Sequence, residues 1–84
     1  MPVIARFYGM VVKMYFGQSE HNPPHLHVIY GEYIGAIEIQ TQKMMEGDLP
    51  PKALAMAQEW TKQYQDELMT IWNTQEFRKL PPLK

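Results

Sequence analysis

His21, His25 and His27 are all the histidines of this chain, and they stand together in the stretch His21-Asn22-Pro23-Pro24-His25-Leu26-His27. Imidazole titrates near neutrality, moves protons and binds divalent metals through a ring nitrogen, so this stretch is where chemistry should be sought. Two prolines stiffen the link between the first histidine and the second. His25 and His27 are two apart, which puts both rings on one face of a strand.

Three uses of these residues are compatible with their types and spacing. In the first, His21 folds back toward His25 and His27, with Glu38 as a further ligand or orienting group, and the set holds zinc or another first-row divalent ion. In the second, an imidazole beside a carboxylate moves a proton. His25, His27 and Glu38 are then catalytic candidates, and Arg6, Lys13, Tyr8 and Tyr15 on the same face would suit a phosphodiester such as RNA. In the third, His21, Asn22 and the prolines organise the loop, His25 pairs with Glu38 to set strand register, and a second copy or another protein covers the face. No Ser–His–Asp ordering, Gly-rich phosphate loop or aromatic RNA-binding signature is present to favour catalysis.

The elements that must position these groups follow from hydropathy patterning. Residues 2–16 alternate on both sides of Tyr8-Gly9, which reads as a two-residue hairpin loop setting Phe7 opposite Met10, Ala5 opposite Val12 and Val3 opposite Met14. Arg6 and Lys13 then lie on the opposite face. Residues 17–24 are loop by composition. Residues 25–30 and 33–40 alternate around the turn signal Gly31-Glu32. Pairing across it sets Tyr30 opposite Tyr33, Val28 opposite Gly35, Leu26 opposite Ile37, Ile29 opposite Ile34, His27 opposite Ala36 and His25 opposite Glu38. Directly opposite Cβ atoms are roughly 5 Å apart, so an imidazole and a carboxylate can meet.

A short strand or turn is expected over residues 43–46, closed by Gly47-Asp48. Pro50-Pro51 then opens a helix, where a missing N–H costs nothing. Ala53, Ala57, Trp60, Tyr64, Leu68 and Ile71 recur every three or four residues, with Trp72 beside them, which predicts one long helix over residues 51–77 packed on the sheet. Trp60 and Trp72, twelve apart and not quite on one helical line, read as core residues, the alternative being that at least one sits at the edge of the packed stripe where a partner would cover it. Pro81-Pro82 ends regular structure, and residues 78–84 read as a loose tail.

Composition bounds the rest. Eighty-four residues with 45% hydrophobic content make one domain, residues 1–84, near the lower size limit for folding without a staple. The absence of cysteine excludes disulfides and thiolate zinc sites. A net charge of -1 gives no general attraction to nucleic acid, although a local basic face is compatible with it. With no signal pattern and no apolar run of spanning length, a cytoplasmic protein without a membrane partner is expected. A core this small makes a homo-oligomer or a protein partner a reasonable expectation.

Several stretches together carry a resemblance. They are Met1-Pro2-Val3-Ile4-Ala5-Arg6-Phe7-Tyr8-Gly9-Met10-Val11-Val12, the histidine segment, Tyr30-Gly31-Glu32-Tyr33, and Glu46-Gly47-Asp48-Leu49-Pro50 leading into a helix with Ala53, Leu54 and Trp60. Over nearly its whole length the chain resembles a small bacterial family catalogued as domain of unknown function 4160, the string H-N-P-P-H-x-H being the specific part. Leu26 stands where that family often has an aromatic, one apolar residue for another. The resemblance implies a short intracellular bacterial protein, encoded beside another small uncharacterised protein in an arrangement like toxin–antitoxin pairs. It therefore implies a protein partner and carries no established activity.

The expectation is an α+β fold: a small, mostly antiparallel sheet of four to five strands with one long C-terminal helix on one face. The other face, with Arg6, Lys13, Tyr15, His21, Asn22, His25, His27 and Glu38, is the expected binding face of a small binding or regulatory module. The alternative is a metal-binding protein, zinc on His21, His25 and His27 being the natural case, or a small RNA-cleaving enzyme.

Overall fold

The computed structural model describes residues 3–14 and 23–83. Tyr15, His21 and Asn22 of the expected binding face lie outside the described residues. Five strands, β1 (Val3–Phe7), β2 (Met10–Lys13), β3 (His25–Tyr30), β4 (Tyr33–Glu38) and β5 (Met44–Gly47), precede two helices, α1 (Pro51–Gln63) and α2 (Gln65–Thr74). The strands lie side by side in chain order, each antiparallel to the next. The class is α+β.

The β3–β4 register is the one the alternation predicts, from Tyr30 opposite Tyr33 to His25 opposite Glu38. In β1–β2, Phe7 faces Met10 and Ala5 faces Val12 as expected, and the connecting residues have positive φ, 48° at Tyr8 and 79° at Gly9. That sign pair matches the strand twist and suits a two-residue hairpin. Farther along, the expectation fails. Val3 faces Lys13, not Met14, because the register shifts between Val3 and Ala5. The extra residue, Ile4, is fully buried in the core, and such a bulge re-aims the side chains around it.

The core lies between the sheet and the helices. Phe7, Met10, Val12, Leu26, Val28 and Ile37 pack with Ala53, Ala57, Trp60, Leu68 and Ile71, and the Trp60 ring sits 5.5 Å from Phe7 and 5.4 Å from Tyr64. The apolar stripe read from the sequence is therefore the packed face. Helix α1 opens with Pro51 in its first turn and no side-chain cap.

Two expectations about the C-terminal half are corrected. The long helix is two helices, broken at Tyr64, whose backbone (φ -109°, ψ 24°) leaves the helical region. One turn earlier the buried Thr61 hydroxyl donates to the Ala57 carbonyl, a back-bond that bends helices. Helix α2 then ends at Thr74, with Gln75 at φ 60°, short of the Phe77 expected. The residues after it have no helix or strand, yet they are not loose. Leu80 N–H donates to the Ile4 carbonyl at 2.9 Å, Trp60 Nε1–H donates to the Pro81 carbonyl at 2.8 Å, and Leu80 and Leu83 are buried. Proline stops a ladder without preventing an extended segment from packing.

Candidate functional site

Among the described residues the helices pack on one face of the sheet, and no helix or strand lies across the other. Strand pairing lays its side chains out in rows. One row runs Arg6, Val11, Ile29, Ile34 across β1 to β4; the next runs Val3, Lys13, His27, Ala36, Glu46 across all five strands; the third is His25 beside Glu38. Cations thus lie toward β1 and carboxylates toward β5, with aliphatic side chains between. Ile34 is 55% exposed, a large value for a strand isoleucine, whereas Lys13, His27, Ile29 and Glu38 are half-buried.

The structure brings together four of the expected residues. His27 has Lys13 on one side in register and Ala36 on the other, and its ring lies 5.1 Å from that of His25 in an edge-to-face arrangement. Glu38 is directly across from His25, but among the described residues no hydrogen bond or ion pair joins them. Arg6 is in the neighbouring row and exposed. Glu46 is a member that the sequence pattern does not announce. It reaches the site because a register shift between Ala36 and Ile37 places it beside Ala36, one strand beyond His27.

His25 itself is buried, and its environment shows how it is held. Its Nδ1 lies 2.9 Å from the Pro23 carbonyl. A carbonyl only accepts, so Nδ1 carries the hydrogen and, in the neutral ring, Nε2 carries the lone pair. A backbone carbonyl that fixes the tautomer in this way is the usual means of aiming an imidazole. The first proline of the pair therefore supplies the acceptor that orients the ring. On another side the ring of Trp72, half-buried on α2, stands 5.5 Å away. Trp60 is fully buried in the core, and Trp72, half-buried and packed against that core, also borders the site.

The His27 pKa is depressed below its ordinary 6.5, first by burial and then by charge on His25, while Glu46 opposes the shift. Neutral His27 is therefore favoured in the folded protein. The unfolded chain takes up its proton at higher pH than the folded chain does, so stability falls as pH drops through and below 6.5 and is fully present above it. Melting temperature is expected to fall on acidification in this range, and His27→Gln should remove part of that slope. An equal slope in the variant would show that other groups cause it.

Among the described residues no group of three or more histidine, aspartate or glutamate side chains is gathered as metal ligands would be. His21, the third member of the expected zinc set, is outside those residues. No helix among the described residues is long and apolar enough to cross a membrane.

Fold and site together define a five-stranded antiparallel meander backed by a helix pair, with a charged, histidine-bearing open face. A family model described as Domain of unknown function (DUF4160) matches residues 9–73, and the chain belongs to that family. The match spans β2 to α2 and includes every histidine. No curated protein and no solved structure matches the chain.

Proposed function

We propose that this protein is a small binding or regulatory module that engages a protein partner through the open sheet face and the adjoining histidine segment. The carrying observation is that, among the described residues, the helices pack on one face while Ile34 stands exposed on the other among Arg6, Lys13, His27 and Glu46. An aliphatic strip rimmed by charges of both signs is the composition of an interface core and its rim. What the resemblance implies, a second small protein encoded alongside in a toxin–antitoxin-like arrangement, favours a protein as the occupant. In this reading the buried, tautomer-fixed His25 holds the shape of the face, and His27, Lys13 and Ile34 make contact.

The test is co-purification with the product of the neighbouring gene. Ile34→Asp and His27→Ala are each expected to weaken the complex tenfold or more, because central interface residues dominate binding, while circular dichroism and melting stay near wild type. An unchanged complex with both variants would sink the proposal.

A further inference from the structure

We infer that the edge of β1 at Arg6 is a second binding site, adjoining the open face, which takes an acidic peptide segment of another protein as an added strand. β1 is an edge strand of the sheet. Phe7 and Met10 close the two-residue hairpin, so they exchange both backbone bonds, and antiparallel alternation then turns the N–H and C=O of Arg6 away from β2. The same outward edge is already used once: Ile4, beside the register shift, gives its carbonyl to Leu80 N–H. On the C-terminal side of Leu80 the tail has no N–H to add, since Pro81 and Pro82 lack one. Strand pairing is therefore begun at Ile4, and among the described residues no tail group continues it to Arg6.

What lies there is a cleft of about 220 Å³, walled by Val3, Ala5 and Arg6 on the strand side and by Lys79, Leu80 and Pro82 on the tail side. Its two charged lining residues, Arg6 and Lys79, are both cations, and both are exposed. Backbone groups aimed outward, an apolar wall and a cation on each side fit an extended segment in which carboxylates alternate with aliphatic residues. Main-chain bonds would give affinity, and the side-chain alternation would give selectivity. This goes beyond the open-face reading, since the cleft uses the sheet's edge and the tail.

The probe is a short synthetic peptide in which glutamate alternates with valine, labelled for fluorescence anisotropy, with amide shifts of the protein recorded in parallel. Expected are binding that weakens with salt, a shifted Arg6 amide, and a loss of tenfold or more on Lys79→Glu. Ile34→Asp should leave peptide binding unchanged, which separates this site from the open face. A lysine-for-glutamate peptide should not bind, nor should one N-methylated at its central amides. The proposal is overturned if the acidic peptide does not bind, or if the basic or N-methylated peptide binds equally. It is also overturned if Lys79→Glu abolishes self-association of the protein itself, which would make the occupant a second copy.

Discussion

Trp60→Ala is expected to lower stability by roughly 3–5 kcal/mol, the usual cost of emptying a buried aromatic site. A domain of this size has on the order of 4–13 kcal/mol in total, at about 0.05–0.15 kcal/mol per residue, so the variant should be largely unfolded near body temperature. Trp60 is fully buried, touches Phe7 on the sheet and Tyr64 at the helix break, and donates to Pro81. It therefore joins sheet, helices and tail. Trp60→Phe separates these roles, because an aromatic ring remains while the Nε1–H is lost. That variant should keep a folded core, with faster hydrogen exchange at the Leu80 amide. Chemical denaturation of both proteins checks the expectation, and a Trp60→Ala protein as stable as wild type would mean that the core is organised differently.

The second large effect is expected at Gly47. Its φ is +88°, a conformation that side chains with a Cβ rarely adopt, and a Cβ there would collide with the Ile34 carbonyl oxygen. That carbonyl also accepts from the Asp48 amide, so it cannot shift without disturbing the pairing of β5 with β4. Gly47→Ala should cost at least about 2 kcal/mol, within or above the range for forced left-handed residues. The loss should be local first. With β5 displaced, Glu46 leaves the neighbourhood of His27, and because Glu46 opposes the depression of the His27 pKa, that pKa should fall further. NMR titration of the His27 ring reads this directly, and an unchanged titration with unchanged melting would refute the expectation.

Residues whose alternation has two distinct parities are legible from the chain. Around Gly31-Glu32 the turn signal sets which residues pair, and the polar residues His25, His27 and Glu38 fall on one face. The register of His25 with Glu38 and of His27 with Ala36 therefore follows from turn and period, even though Ile29 and Ile34 share that face. At Val3-Ile4-Ala5 every side chain is apolar, and alternation carries no sign of which residue turns inward; the bulge is invisible for that reason. The helix break at Tyr64 is hidden in the same way, since Trp60, Tyr64, Leu68 and Ile71 keep their spacing across it. Leu80 and Leu83 flank Pro81-Pro82, and two prolines mark only the end of regular hydrogen bonding, which says nothing about whether their neighbours are buried. Glu46 and Trp72 reach the histidines through a register shift and a helix position, which are tertiary facts. A lone carboxylate in an otherwise apolar short strand is the available hint for Glu46.

The contact between Leu80 and Ile4 also bears on how the protein is made. A meander in chain order pairs each strand with the one before it, so the sheet can assemble locally and quickly as it emerges from the ribosome. The clasp on β1 is the exception, since its donor lies 76 positions later in the sequence (80 less 4). Of the five strands, the first to be made is thus the one clasped last, and until Leu80 arrives the Ile4 carbonyl joins the outward groups of Arg6 in being open to any neighbouring nascent chain. Slow translation through the codons for residues 75–81 would lengthen that interval, and yield in the cell would then depend on elongation rate as well as on the stability of the finished fold.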